Sequence, residues 1–268
     1  EVKLDGPAGR VRAGCTLGEL CRVTLEGAAI AGTLFVGSDG CGDTVVAGPD
    51  WVGSATSSDM EFLLGVPSVV PEGFSGVLCW AAAEATMFVE IGKLSLNGPI
   101  PSTYICDAGS FCSMQLQGSG LAGGEVVVED GVCGEGDLLV AGNVTVDSMA
   151  ELIVETPGNW SLCWSSGGAW ISAGTVVTRG PWFVTQATCL LHEPCSVQLE
   201  GNAFLGTTMQ LTTADTCAGA VATVPGWSYS PDLTHLGTAS LGTATSDLGL
   251  GGTYPETQSY QLTLCWCG

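Results

Sequence analysis

Positive charge is scarce in this chain. Only 6 of its 268 residues are Lys or Arg, against 27 Asp or Glu, and the formal net charge is −21. Phosphate neutralisation needs clustered Lys and Arg, so a nucleic-acid partner is excluded. Attraction to an anionic membrane surface fails for the same reason. Long apolar runs are missing too. None approaches the 18 residues of a membrane-spanning helix, so direct membrane insertion is not expected. Charged residues of both signs make up only 12%, yet 46% are hydrophobic, a balance that excludes a disordered chain. The sequence opens at Glu1 without a leader pattern and reads as a mature form or a fragment.

Glycine and cysteine are abundant instead, at 40 and 13 residues. Such cysteine usage in a Lys-poor chain points to an oxidising compartment. The cysteines repeat. Cys15 and Cys21, Cys106 and Cys112, and Cys189 and Cys195 are each separated by five residues, at offsets of 91 and then 83. Leu25, Leu116 and Leu199 follow in register, then Gly27, Gly118 and Gly201, then Gly32, Gly123 and Gly206. A third cysteine comes next, Cys41, Cys133 and Cys217, and each repeat closes on Leu-Cys-Trp at Cys79, Cys163 and Cys265. Gly-Pro opens each repeat at Gly6, Gly98 and Gly180. Three modules are expected, at 1–92, 93–174 and 175–268. The stretches between third and fourth cysteines hold 37, 29 and 47 residues, the pattern of surface loops on a constant scaffold.

The recurrent segments alternate with period two, the signature of half-buried strands. Leu262, Leu264 and Trp266 share one face of the last segment; Cys265 and Cys267 share the other. The parity predicts a core stripe of Leu and Trp, with the fourth cysteine on the outer face. Ala81–Glu90 is read as strand rather than short helix. The fold class is all-β: three tandem antiparallel β-sandwich (Ig-like) modules stapled by disulfides. Modules this small have limited cores, and disulfides contribute typically about 2–4 kcal/mol each. Four cysteines allow three connectivities per module; a first–second loop closure, leaving third–fourth, is favoured. Zinc is disfavoured by the five-residue spacing without recurrent His. Cys267 is left over. Such a residue pairs between chains, pairs beyond this segment, or stays a free thiol.

With these residues in order, the chain resembles large tandem-repeat proteins encoded by dinoflagellates and related alveolate protists. Their modules end in a Tyr-x-Leu-Cys-Trp-Cys signature, which Tyr260, Leu262, Leu264, Cys265, Trp266 and Cys267 approach most closely. The first two repeats depart from it, with Ala81 and Ser165 in place of the final cysteine. The resemblance implies a secreted or cell-surface protein with a longer parent. It implies no catalytic residue.

Candidate chemistry is sparse. His192 and His235 do not recur, and Ser230, Asp232 and His235 lack a nucleophile elbow, so no enzyme is expected and no cofactor. Asp39 and Asp43, Glu129 and Asp130, and Glu135 and Asp137 flank third cysteines. Oxygen-rich loops can bind calcium, but no EF-hand spacing is present and only Asp215 lies near Cys217, so solvated loops and no metal are expected. Gly118–Gly124 is a turn, not a phosphate cradle. Asn143-Val144-Thr145 and Asn159-Trp160-Ser161 are N-glycosylation sequons, and Thr234–Thr253 is a weaker candidate for O-glycans. Trp51, Trp170, Trp182 and Trp227 do not recur; packing between modules or stacking on sugar accounts for them.

Before Gly-Pro stand EVKLD, KLSLN and TVVTR, each a short strand. Glu1, Val2, Lys3, Leu4 and Asp5 thus have no module before them, while only Cys267 and Gly268 follow Trp266. Either the chain is a piece of a longer repeat polypeptide, or the first strand of one copy completes the last module of the next. The expectation is an extracellular structural protein, a head-to-tail homopolymer carrying covalent glycans. The alternative is a cell-surface adhesin whose loops bind glycans.

Overall fold

The computed structural model describes residues 6–42, 53–57, 60–70, 74, 76–83, 85–182, 188–190, 193–202, 208–212, 217, 238–243 and 263–267. Every regular element among them is a strand. The first repeat supplies β1 (Gly6–Pro7), β2 (Val11–Thr16), β3 (Cys21–Thr24), β4 (Gly27–Ala28), β5 (Gly32–Gly37), β6 (Ser54–Ser57), β7 (Glu61–Gly65), β8 (Gly76–Ala82) and β9 (Val89–Ile100). The second supplies β10 (Ser102–Asp107), β11 (Phe111–Gln115), β12 (Gln117–Ser119), β13 (Glu125–Asp130), β14 (Asp137–Asn143), β15 (Met149–Ile153), β16 (Gly158–Ser165) and β17 (Ile171–Pro181). The third supplies β18 (Pro194–Gln198), β19 (Gly201–Asn202), β20 (Thr208–Thr212), β21 (Thr238–Thr243) and β22 (Thr263–Cys267).

Pairing repeats with the sequence. In the first repeat β9, β8, β5 and β6 pair in that order, and β2 adds parallel to β9. A separate antiparallel pair, β3 and β7, forms the second layer. In the second repeat the sheet runs β10-β17-β16-β13-β14, beside the pair β11 and β15. The third repeat shows the corresponding pairs β18 with β21 and β20 with β22. One sheet ordered G-F-C-C′, facing a B-E pair, is the arrangement of the immunoglobulin-like sandwich. The chain departs from antibody domains in its staples. Its tryptophan sits on the F strand, and its F-strand cysteine reaches the loop after strand C instead of strand B.

Alternation places the core between the layers. Cys21 and Val23 point inward from β3 while Arg22 and Thr24 point out. With Phe62 and Leu64 of β7 they pack on Leu34, Leu78, Trp80 and Leu94 of the facing sheet. Cys79, one residue from Trp80, turns to the opposite face. There Phe35, Val77, Cys41 and Phe88 gather around it, with the Phe35 and Phe88 rings edge to face at 4.6 Å. In the third repeat Val197, Leu199, Met209, Leu211 and Leu241 form the cluster, with Leu264 and Trp266 against it.

Ala81–Glu90 differs from its sequence expectation as an uninterrupted strand. Only its ends are strand: β8 stops at Ala82, Ala83 is in a turn, and β9 resumes at Val89. An Ala-rich hairpin connection accounts for a composition that looks weakly helical. The chain divides into two compact units, Glu1–Thr103 with Ser113–Leu152 and Ser161–Thr175, and Tyr104–Cys112 with Ile153–Trp160 and Val176–Gly268.

Candidate functional site

The feature that recurs with most detail is the seam where one repeat runs into the next. β9 does two jobs. Its Gly92–Asn97 part lies parallel to β2, and its Val89–Leu94 part pairs with β8. Its last residues, Gly98–Ile100, pair with β12 of the second repeat. No free linker separates the two. β17 repeats the device, ending in Gly180 and Pro181 paired to Asn202 and Gly201. Gly6 and Pro7 pair in the same register with Ala28 and Gly27.

The seam explains the recurrent glycines. Gly6, Gly98 and Gly180 have φ of 138°, 151° and 142°, and Gly27 and Gly118 have 151° and 137°, values that favour glycine. A Cβ on Gly27 would collide with the Gly6 carbonyl, and one on Gly118 with that of Gly98. In the first and third repeats the closing tryptophan lies under the opening glycine, whereas Gly98 packs against Leu17. A Cβ on Gly6 would stand 3.4 Å from the Trp80 ring, and one on Gly180 3.6 Å from that of Trp266. Corner contacts recur as well. The Leu17 amide donates to Asn97 O and the Ala108 amide to Arg179 O, each at 2.9 Å.

Sequence reasoning did not single out the pair beside the second seam. Arg179 donates to Asp107 through Nε at 2.7 Å and holds it through Nη2 at 2.6 Å. Asp107 follows Cys106 and Arg179 precedes Gly180, so the signal lay beside two recurrent marks. The first repeat has Thr16 and Asn97 there, which hid it.

The twelve recurrent cysteines are joined in six disulfides. Cys15–Cys21, Cys106–Cys112 and Cys189–Cys195 close short loops; Cys41–Cys79, Cys133–Cys163 and Cys217–Cys265 join the loop after strand C to strand F. Cys267 lies at the end of β22, with its backbone opposite Thr208. Among the described residues β22 pairs on one side only, with β20, whereas β8 and β16 are flanked on both. The strand that flanks β8 includes Lys93 and Leu94, opposite Val77 and Gly76.

The sequons are on the surface. Asn143 is exposed at the end of β14, and Thr145 Oγ1 accepts the Met149 amide at 3.2 Å. Asn159 is exposed on β16, Asn202 Nδ2 lies 3.5 Å from its Oδ1, and Ser161 Oγ donates to Gly131 O. Beside the second long-range disulfide Glu129 is buried. Its Oε2 accepts the Gly134 amide at 2.8 Å and lies 3.9 Å from Cys163 Sγ. Asp130, Glu135 and Asp137 are not buried with it. No group of three His, Cys, Asp or Glu side chains is gathered around a common point among the described residues. Trp182 is exposed and Trp170 half-buried near Gly134. Glu1–Asp5, Asp43, Trp51, His192, Asp215, Trp227, Ser230, Asp232, His235 and most of Thr234–Thr253 lie outside the described residues.

The fold and seam define a class: disulfide-stapled immunoglobulin-like β-sandwich repeats that run into one another through shared strands. No protein-family model matches the chain, and no curated protein matches it. Among solved structures it is similar to the titin I-band fragment I67–I69, at 12% identity over 90% of this chain and 87% of that one, with a TM-score of 0.22. It is similar to the BSP domain of a biofilm-associated protein, at 15% identity over 62% of this chain, with a TM-score of 0.24; the matched part spans 28% of that protein. The eight N-terminal Ig domains of the Down Syndrome Cell Adhesion Molecule match at 13% identity over 88% of this chain and 40% of that one, with a TM-score of 0.23. Likenesses this distant carry no argument about what this chain does.

Proposed function

We propose that the chain is an extracellular structural protein whose copies join head to tail into a filament or surface fibre. The observation that carries this reading is the shared strand. β9 flanks the F strand of one repeat and then opens the next. Val2–Asp5 precedes Gly6-Pro7 as Leu94–Asn97 precedes Gly98-Pro99. The same backbone ladder that joins repeats within the chain would then join copies, with Glu1–Asp5 of one molecule beside β22 of the next. Strand addition to an open edge supplies main-chain hydrogen bonds, and a head-to-tail contact that does not close makes a filament. Six disulfides suit an oxidising exterior. The net charge of −21 keeps finished fibres apart while the ladder acts at short range. Glycans on the exposed Asn143 and Asn159 would sit on the fibre surface.

Sedimentation velocity of the oxidised chain tests this. Assembly should grow with concentration and fall when a peptide spanning residues 1–10 is added in excess as a competing strand. A monomer at every concentration, or assembly indifferent to the peptide, would contradict it.

A further inference from the structure

The few positive charges are not scattered. Arg10, Arg12 and Lys93, three of the six Lys and Arg residues, line one groove of about 670 Å³ along β2 and β9, to which the second repeat adds Ser119. Arg12 and Lys93 are register partners on the parallel ladder, both exposed. Like charges directly opposite one another destabilise a sheet. Among the described residues none of the three cations is in an ion pair. The two ion pairs there belong to Arg22 and Arg179. The scaffold does not need this arrangement. In the second repeat Thr103 and Thr175 occupy the equivalent positions, their hydroxyls 3.2 Å apart. A chain this acidic thus places half its cations in one groove, unpaired among the described residues, with Arg12 and Lys93 facing one another where a ladder needs no charge. That points to an anion supplied from outside.

The rest of the lining narrows the class. Phe74 presents an aromatic side chain, half-buried against the core. Ser95 Oγ donates to Ala13 O at 3.3 Å and Ser119 Oγ to Leu96 O at 3.1 Å, so both oxygens remain acceptors for an incoming hydroxyl. Glu90 also lines the groove; its carboxylate is an acceptor for sugar hydroxyls, donors that the side chains of an acidic peptide do not offer. A second copy of the chain would bring its whole negative field, whereas a short saccharide brings a few charges within a Debye length of about 8 Å. We propose that the groove lined by Arg10, Arg12, Lys93, Phe74 and Glu90 binds an anionic saccharide, one bearing sulfate or carboxylate groups. Its charged groups meet Arg12 and Lys93, its ring faces Phe74, and its hydroxyls meet Glu90, Ser95 and Ser119. The inference goes beyond the assembly reading and is independent of it, because a chain that never polymerises keeps the groove.

The test is calorimetric titration of the full oxidised chain with a heparin-derived hexasaccharide, a neutral cello-oligosaccharide of equal length and a hexaglutamate peptide. The sulfated saccharide should bind. The Arg12→Gln/Lys93→Gln variant should lose at least about tenfold in affinity, the size of one charge-assisted hydrogen bond. Phe74→Ala should weaken it further. Removing the facing like charges should leave the melting temperature no lower than the parent's. Should that variant fail to fold, Arg10→Gln, outside the ladder, reads the same loss to a smaller degree. No binding, equal binding of the neutral saccharide, equal binding of hexaglutamate, or an affinity unmoved by these substitutions would each overturn the proposal.

Discussion

Gly118 and Gly123 both have positive φ, at 137° and 79°, but their surroundings differ. A Cβ on Gly118 meets the Gly98 backbone, while one on Gly123 meets open space. Gly123→Ala is expected to cost about 1 kcal/mol, the strain alone, and Gly118→Ala about 2–3 kcal/mol. Urea unfolding of the two variants checks this; equal losses would contradict the seam account. The tryptophans offer a second comparison. Trp80 Nε1 donates to Ile30 O at 3.2 Å, whereas Trp164 Nε1 is buried and has no partner among the described residues. Trp80→Phe should therefore cost about 1 kcal/mol more than Trp164→Phe, measured by the same unfolding. The recurrence of these glycines and tryptophans was legible in the sequence, because identity at fixed offsets needs no third dimension. Their reason was not, since the Gly98 carbonyl that forbids a side chain on Gly118 lies across a ladder. Arg12 and Lys93 were hidden more deeply. They lie far apart in the chain, and only a parallel register sets them side by side.

Strands were legible wherever period two was clean. Cys21–Leu25 shows this: Val23 and Leu25 are buried and Arg22 and Thr24 exposed. It failed at Ala81–Glu90, where a run of small residues has no alternation to read and the chain makes a hairpin connection. The pairing of strands was out of reach, because parallel β2 against β9 depends on which edge is free once the sandwich forms. Disulfides act at this scale. Cys133–Cys163 spans 30 residues and Cys106–Cys112 only 6. Loop-closure entropy then makes the longer bond worth about 1.5 kcal/mol more. Replacing each pair by alanines and comparing chemical unfolding should show that difference. A larger loss from the short loop would mean that local geometry outweighs chain entropy.

For the whole molecule, the repeated order of marks carried the fold class, and the shared strands carry the assembly reading. The surface carries its own expectation. Material from a secretory host should show glycan on Asn143 and Asn159, both exposed, as a mass shift removed by an N-glycosidase; two bare asparagines would contradict it. The central claim is that the strand joining repeats within the chain also joins copies. Negative-stain electron microscopy of the unreduced chain, beside a variant lacking Glu1–Asp5, tests it most directly. The account predicts regular filaments from the first and dispersed particles, with all six disulfides formed, from the second. Dispersed particles from both, or filaments from both, would contradict it.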